Sequence, residues 1–288
     1  MNQTNIFIEL TRLNKPIGYM LLFWPCAWGL SLSLQQNQDF NKFIYYLILF
    51  FLGSLLMRRA GCIVNDIVDK DYDKKVLRTK NRPIASKKIS IRKSLFYVLC
   101  LCLLAFLILL QFNYLTIFLG IGSMAFAFSY PYMKRITYWP QLFLGLTFNW
   151  GIVMAGAALT NDISNEILLL YLMAIFWTLG YDTIYGVQDI ADDEIIGVKS
   201  TSIKFKKNIK LFVGICYFIS SALAIYIFYD NFGLNKSIFF VLIFIISLMY
   251  QLKIFNKRKP KKCLLAFKIN NYSGLILFLG FLFNAQIN

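Results

Sequence analysis

Apolar residues occur along this chain in nine long runs, and short polar segments separate the runs. Each run has 17 to 23 residues, enough for a helix to cross a hydrocarbon core of about 30 Å. The pattern predicts an all-α, polytopic membrane bundle of about nine transmembrane helices. The predicted spans are 16–34, 43–64, 95–111, 113–132, 140–160, 166–186, 208–228, 235–254 and 264–286.

The polar segments alternate between rich and poor in Lys and Arg. The basic residues concentrate at 65–94, 132–139, 187–210 and 253–262. The segments between these carry only Lys42 and Lys236. By the positive-inside rule, the basic segments and the N-terminus face the cytoplasm, and an odd number of spans places the C-terminus outside.

The composition agrees with a membrane protein. With 58% hydrophobic and 17% aromatic residues, the 288-residue chain lacks the polar surface of a soluble domain, and we interpret 1–288 as one integral-membrane domain. The net charge of +16 follows from the basic cytoplasmic segments and gives no support to nucleic-acid binding. No cleavable signal or transit segment is recognisable before the first run, so we expect a bacterial inner (cytoplasmic) membrane.

Cysteine and histidine usage narrows the chemistry. The six cysteines lie in apolar segments without CxxC spacing, and we interpret them as small packing residues. The chain has no histidine, which excludes His-based nucleophile pairs and His-ligated zinc, iron or haem. The groups that remain available for catalysis or ligand binding are carboxylates, basic side chains, other polar groups and a hard metal ion.

Nine of the 14 acidic residues fall in two short segments at predicted cytoplasmic helix ends. The first acidic segment is 65–73, NDIVDKDYD, and the second is 181–194, YDTIYGVQDIADDE. Carboxylates at this density repel one another unless cations join them. Solvated helix ends with lysine neighbours are the simpler explanation, but two helical stripes are more specific than scattered ion pairs. The similar layout of the segments predicts two related halves around a central cavity that opens to the cytoplasmic side.

The spacing of these acids predicts a metal site. On a helix, Asn65, Asp69 and Asp73 share one face because they are four residues apart. A comparable stripe in the second segment consists of Asp182, Asp189 and Asp193. Oxygen ligands without His or Cys are the set that Mg²⁺ or Ca²⁺ takes, and Mg²⁺ suits a few carboxylates completed by water and phosphate oxygens. Two such stripes could hold two metal ions on one diphosphate.

Basic side chains flank both acidic segments. They include Arg78, Arg82, Lys134, Arg135 and Lys199. Guanidinium and ammonium groups bind phosphate oxygens well. For any single one of them, a topogenic charge at the membrane surface is the simpler explanation.

The motif NDxxDxxxD at 65–73, with DIADD at 189–193, resembles the UbiA superfamily of intramembrane aromatic prenyltransferases. Further strings are similar to the branch that prenylates 4-hydroxybenzoate: RLNKPIG at 12–18 before WP at 24–25, YPYMKR at 130–135, YDTIY at 181–185 and GVKST at 197–201. The resemblance is strong over about 9–205 and looser in the last three predicted helices. Tyr72 and the GVQ string at 186–188 are mild departures.

The resemblance implies Mg²⁺-dependent transfer of a polyprenyl group from polyprenyl diphosphate to the ring carbon ortho to the hydroxyl of 4-hydroxybenzoate, in ubiquinone biosynthesis. It assigns metal and diphosphate binding to Asn65, Asp66, Asp69, Asp73, Asp182, Asp189 and Asp193. It assigns further diphosphate contacts to Arg78, Arg82, Lys134 and Lys199. Arg135, or alternatively Arg12 or Lys15, would bind the acceptor carboxylate. Asp71 lies off the stripe and is expected to be a solvated helix-end charge.

Two alternatives remain open, an ion-coupled transporter and another acceptor within the superfamily, and a third class is excluded by its motif. An ion-coupled transporter would carry its acids near the bilayer midplane, whereas here they lie at predicted helix ends beside basic residues. A CDP-alcohol phosphotransferase also uses Asp-rich helices and metal, but its DGxxAR-type motif is absent. Within the superfamily, the acceptor could be another aromatic compound or haem. No protein partner is evident from the sequence.

Overall fold

In a computed structural model, the described residues are 2–76 and 79–285. Helices are the only regular elements in this part of the chain. In chain order they are α1 (Gln3–Thr11), α2 (Ile17–Asn37), α3 (Phe40–Val68), α4 (Lys70–Asp73), α5 (Ile91–Leu109), α6 (Tyr114–Ile136), α7 (Pro140–Thr160), α8 (Asn165–Gly186), a 3₁₀ turn (Val187–Asp189), α9 (Ile190–Ile196), α10 (Thr201–Lys204), α11 (Ile209–Phe232), α12 (Ile238–Ile254) and α13 (Pro260–Ala285).

Each predicted span corresponds to one long helix, and the all-α membrane bundle is confirmed. Within the described ranges, eight helices are long and apolar enough to cross a membrane. The ninth, α12, has 17 residues and is strongly apolar, which puts it at the lower limit for a span. The count of about nine therefore fits approximately, with α12 as the marginal member.

The helix boundaries follow from local side-chain chemistry. The side chain of Asn113 accepts a hydrogen bond from the Thr116 N–H at 2.9 Å and so caps the start of α6. Ser164 does the same for α8 through the Ile167 N–H at 3.4 Å. The α2 helix ends at Gln38, which adopts the left-handed conformation with φ of 52° and interrupts the i→i−4 pattern.

The centre of the bundle is formed by α2, α7 and α8, while few side chains of α5 and α6 are buried. The α2 and α7 backbones approach closely because Gly29 has no side chain: a Cβ there would lie 2.7 Å from the Ile152 carbonyl oxygen. Trp28 and Trp177 pack at 5.0 Å between ring centroids in the main core. All six cysteines are free, and four of them are buried.

A buried polar network joins α13 to α8, α11 and α12. The Trp177 indole N–H donates to Asn270 Oδ1 at 2.8 Å, and Asn270 Nδ2 donates to Gln251 Oε1 at 2.9 Å. The Tyr217 hydroxyl donates to the same Gln251 oxygen at 2.6 Å. Because polar groups inside a membrane must find partners within the protein, this network fixes the last three long helices against the central ones.

Candidate active site

The first acidic segment lies where α3 ends, and its helix is interrupted. The α3 helix stops at Val68, Asp69 adopts φ of −92° and ψ of 2°, and Asp73 belongs to the separate turn α4. The four-residue spacing nevertheless persists, since the Asp69 N–H donates to the Asn65 carbonyl at 2.9 Å and the Asp73 N–H donates to the Asp69 carbonyl at 2.8 Å. The single straight helical face expected from the sequence is thus a bent one.

Two arginines form ion pairs with Asp66 and Asp73: Arg82 contacts both carboxylates, and Arg12 contacts Asp66. Arg12 Nη2 donates to Asp66 Oδ1 at 2.6 Å, and Arg82 Nη1 donates to the same oxygen at 3.1 Å. Arg82 Nη1 also contacts both carboxylate oxygens of Asp73, at 2.9 and 3.1 Å. Asp66 is 2% exposed and Asp73 is 7% exposed, so these carboxylates depend on their arginine partners.

Asp69 forms an ion pair with Lys134 from α6 and is only 2% exposed. Burial raises the pKa of the Asp69 carboxyl, and the neighbouring Lys134 ammonium opposes that shift. Asp69 Oδ1 lies 3.7 Å from Arg135 Nη2, too far for a hydrogen bond, and this buried oxygen has no hydrogen-bond partner among the described residues. One oxygen of the carboxylate is therefore available to another ligand.

Arg135 and Lys199 are held by the protein backbone. Arg135 Nη2 donates to the Val68 carbonyl at 2.8 Å, and its guanidinium lies 5.0 Å from the Tyr72 ring centroid. Lys199 Nζ donates to the Ile136 carbonyl at 3.2 Å. These hydrogen bonds cap carbonyl groups at the C-terminal ends of α3 and α6, which lack partners within their helices.

Asp71 lies apart from the cluster. Its side chain is 68% exposed and accepts a hydrogen bond from Lys74 Nζ at 3.0 Å. That hydrogen bond lowers the pKa of Asp71. The position agrees with the expected solvated helix-end charge.

The second acidic segment is divided among three elements. Asp182 lies in the last turn of α8, Asp189 ends the 3₁₀ turn and Asp193 lies in α9. Asp182 is close enough to Asp189 for the two carboxylates to interact electrostatically. The stripe expected on one helix is thus spread along a bent path, because the 3₁₀ turn interrupts it.

The GVKST string at 197–201 and the residue after it are hydrogen-bonded to α8 beside this segment. The hydroxyls of Thr183 and Thr201 are hydrogen-bonded at 2.7 Å, and the Ser202 hydroxyl donates to the Thr183 carbonyl at 2.8 Å. Gly186 makes room for the contact, since a Cβ there would lie 2.6 Å from Ser202 Oγ. This packing holds the residues after the second acidic segment against α8.

A cavity of about 1390 Å³ lies between the helices. Residues of α2, α3, α5, α6, α7, α8 and α13 line it. Of the site residues predicted from the sequence, those in its wall are Arg12, Lys15, Asn65, Asp66, Arg82 and Asp182. The other predicted site residues in the described part of the chain do not line it; they are Asp69, Asp73, Lys134, Arg135, Asp189, Asp193 and Lys199. Arg78 lies outside the described residues. The wall thus joins polar groups from both acidic segments to a largely apolar interior.

The wall also contains two arginines that the sequence interpretation missed. Arg58 and Arg59 lie in the middle of α3. Arg58 interacts electrostatically with Asp182, and its guanidinium lies 5.1 Å from the Phe148 ring centroid. Arg59 Nε is buried without a hydrogen-bond partner among the described residues. The signal was present in the sequence, because charged residues inside an apolar span are rare and usually face a functional cavity.

The donor set suits a hard divalent cation, although no three acidic, Cys or His side chains within 2–76 and 79–285 already form a metal cluster. The carboxylates are instead neutralised by arginine and lysine. The unpartnered oxygen of Asp69 and the amide of Asn65 supply oxygen ligands of the kind that Mg²⁺ takes. A bound cation would compete with the basic side chains for the same carboxylates.

Comparisons with known proteins identify the class. The model of the UbiA prenyltransferase family matches residues 22–275, so the chain belongs to this family of membrane-embedded prenyltransferases. The match includes α11, α12 and most of α13, where the sequence strings gave only a looser resemblance.

Individual relatives are similar over nearly the whole chain. The 4-hydroxybenzoate octaprenyltransferase of Blochmanniella pennsylvanica is 41% identical over 94% of this chain and 93% of its own length. The human mitochondrial 4-hydroxybenzoate polyprenyltransferase is 41% identical over 95% of this chain and 74% of its own length.

Solved structures share the fold. A UbiA homolog from Aeropyrum pernix K1 in its apo form has a TM-score of 0.77 at 22% identity, over 92% of this chain and 97% of the homolog. A UbiA homolog from Archaeoglobus fulgidus, bound to GPP and Mg²⁺, has a TM-score of 0.71 at 17% identity, over 96% of this chain and 99% of the homolog. At these identities the likeness establishes the fold.

Proposed function

We propose that this chain transfers a polyprenyl group from polyprenyl diphosphate to the ring carbon ortho to the hydroxyl of 4-hydroxybenzoate, as a step of ubiquinone biosynthesis. The observation that carries this proposal is the 41% identity, over 94% of the chain, to a relative named for that activity. The cavity supports it, because polar groups from both acidic segments meet an apolar interior large enough for a prenyl chain.

The acidic segments are proposed to bind the diphosphate end of the donor. Mg²⁺, when bound, would neutralise the charge that develops on the leaving diphosphate. The proposed metal ligands are Asn65, Asp69, Asp73, Asp189 and Asp193, with Asp66 and Asp182 as neighbouring carboxylates. Arg82 and Lys134, which hold the first cluster, are close enough to contact the diphosphate oxygens once they are released from Asp66 and Asp69. Roles for Arg78, Lys199, Arg12 and Lys15 at the diphosphate or the acceptor stay predictions.

The apolar wall of the cavity is proposed to protect the reaction from water. The allylic C–O bond breaks as diphosphate leaves, the electron-rich ring carbon forms the new C–C bond, and the ring proton is released. Water in the cavity would convert the allylic cation to an alcohol, so exclusion of water determines the product. Aromatic faces stabilise such a cation, and Phe148 and Tyr130 belong to the wall.

Arg58 is proposed to bind the carboxylate of 4-hydroxybenzoate. It lies within the cavity wall, whereas Arg135 does not line the cavity and donates to the Val68 carbonyl. Arg58 is about 12 Å from Asp66 along α3, because eight residues separate them. This separation leaves room for an aromatic ring between the diphosphate and the carboxylate partner. The role predicted for Arg135 remains a prediction, and Arg58 is the additional candidate.

The protein is proposed to lie in a bacterial inner membrane with its N-terminus in the cytoplasm. The alternation of Lys and Arg along the sequence supports this orientation. A reporter fused after Lys206 should then be cytoplasmic, and a reporter fused after Asp230 should be extracytoplasmic. The opposite result would place both acidic segments outside.

The function is tested with purified protein, prenyl diphosphate and a panel of aromatic acceptors. We expect prenylation of 4-hydroxybenzoate in Mg²⁺ or Mn²⁺ and none after EDTA, because an oxygen-only ligand set selects hard cations. If the protein preferred a different aromatic acid, the proposed acceptor would be wrong and the proposed prenyl transfer would stand. Full activity in EDTA would contradict the metal proposal.

A further inference from the structure

The α3 helix turns two rows of side chains toward the cavity. One row consists of Leu49, Gly53, Met57, Gly61 and Asn65. The other consists of Phe50, Ser54, Arg58, Cys62 and Asp66. Both rows repeat every four residues, so successive members are neighbours on the helix surface, and the two rows together follow the cavity from the acidic end into the bundle. These rows mark the path that a donor chain would follow from a diphosphate at Asn65.

Two glycines in the first row have no packing reason to lack a side chain. A Cβ at Gly53 or Gly61 would meet no heavy atom within 4 Å. The cavity-lining glycines Gly18 and Gly151 are different, because a Cβ there would lie 2.7 Å from Arg58 Nε and 2.3 Å from Cys26 Sγ. The space beside Gly53 and Gly61 therefore belongs to the cavity and not to a close helix contact.

The two glycines lie at different depths. At 1.5 Å per residue, Gly61 is roughly 6 Å and Gly53 roughly 18 Å from Asn65 along the helix axis. An isoprene unit adds four chain bonds of about 1.5 Å, or roughly 5 Å when extended. A chain starting at Asn65 would thus pass Gly61 with its first or second unit and reach Gly53 near its fourth.

The straight path ends just beyond Gly53. The Phe50 ring lies one helical turn further along α3 and packs against Phe112, with 4.8 Å between ring centroids. Tyr46 also packs against Phe112, with 4.8 Å between ring centroids. Phe50 and Phe112 are buried and both line the cavity, so this packed pair, called the floor below, restricts the straight path at this depth. A chain longer than about four units must bend beside Gly53 to continue.

We propose that Gly53 determines which prenyl chain lengths this protein accepts, by leaving the space in which a long chain turns above the Phe50–Phe112 floor. The inference rests on the proposed function, since it concerns the donor of that reaction. A side chain at position 53 would occupy the turning space and would meet only chains that extend to this depth. Short donors end before they reach it.

The test compares donors of two, three, four and eight isoprene units with the variants Gly53→Val and Gly53→Phe. We expect the ratio of kcat/KM for the eight-unit donor to that for the two-unit donor to fall by at least about 30-fold in Gly53→Phe, within the range that steric exclusion from an apolar pocket gives. Gly53→Val should lower the same ratio by a smaller factor. If Gly53→Phe fails to insert into the membrane, the comparison of Gly53→Val with the unaltered protein is the test.

The matched control is Gly122→Phe. Gly122 lies within the α6 span, a Cβ there also meets nothing within 4 Å, and it is not part of the cavity wall. This variant should leave the ratio unchanged. An unchanged ratio in both Gly53 variants would overturn the proposal, as would equal losses with all donors. If the unaltered protein transferred no prenyl group of any length, the proposed function itself would fail, and the two failures are therefore distinguishable.

Discussion

The two acidic segments are similar in sequence but differ in their surroundings. In the first, Asp66, Asp69 and Asp73 are at most 7% exposed, and each forms an ion pair with Arg or Lys. In the second, Asp189 and Asp193 are partly exposed, and they lie on a bent 3₁₀ and α-helical path. The cationic partners of the first segment come from distant parts of the chain, because Arg12 precedes α2 and Lys134 belongs to α6.

This difference separates two roles that the sequence motifs do not distinguish. The first segment joins four parts of the chain through buried charges, so its carboxylates contribute to the fold as well as to the proposed site. In the second segment, Thr183 is hydrogen-bonded to Thr201 and Ser202, and Glu194 forms an ion pair with Lys206 at 2.8 Å at the surface. Because Asp192 is partly exposed and Glu194 is exposed, altering these two acids should affect stability less than altering the buried acids of the first segment.

The largest expected effect is on activity. Asp69→Asn and Asp189→Asn should each lower kcat by roughly 10²–10⁴, or about 3–5 kcal/mol of transition-state stabilisation, because both are proposed metal ligands. Initial rates of 4-hydroxybenzoate prenylation measure the loss. The exposed Asp71 is the control, and Asp71→Asn should stay close to the unaltered rate. An equal loss of kcat in Asp71→Asn would show that acids on the helical stripe and the exposed acid contribute alike, and would contradict the prediction.

A smaller effect is expected on stability. Asp66→Ala leaves Arg12 without its carboxylate partner and should lower the free energy of unfolding by about 3 kcal/mol. Asp192→Ala, at a partly exposed position in the second segment, should change it by less than about 0.5 kcal/mol. Denaturant-induced unfolding in mixed micelles, followed by tryptophan fluorescence, compares the two. Similar losses would mean that the segments contribute alike to the fold.

The smallest expected effect concerns the acceptor. Arg58→Ala should lower kcat/KM for 4-hydroxybenzoate by about 10- to 100-fold, or roughly 1.4–2.7 kcal/mol, and should affect an uncharged phenol of similar size less. Arg135→Ala should affect both acceptors equally, because its guanidinium is held by the Val68 carbonyl. If only Arg135→Ala lowered kcat/KM more for 4-hydroxybenzoate than for the uncharged phenol, Arg135 and not Arg58 would bind the acceptor carboxylate.

Most of the fold was predictable from the sequence because lipid imposes a simple rule on helices. Each apolar run corresponds to one long helix, and the positions of the loops follow from the charged segments. Even α12, the shortest, was recognisable from its uninterrupted apolar residues. The buried network around Gln251 and Asn270 was not predictable, because single polar residues in apolar runs do not indicate their partners.

The candidate site was predictable in its residue types and less so in its geometry. Four-residue spacing identified Asn65 and Asp69, but it could not show that the helix bends at Asp69. Arg58 was not predicted, although an arginine inside an apolar run indicates a functional cavity. The ion pairs of Asp66 with Arg12 and Arg82 join positions far apart in sequence, which periodicity cannot reveal.

The central claim is that both acidic segments act on one diphosphate. A double-mutant cycle with Asp69→Asn and Asp189→Asn tests it most directly, with kcat measured for each single variant and for the double variant. If both carboxylates serve one site, the double variant should be at least about 10-fold more active than the product of the single losses predicts, a coupling of about 1.4 kcal/mol or more. Losses that multiply within error would contradict the claim and assign the two segments to independent sites.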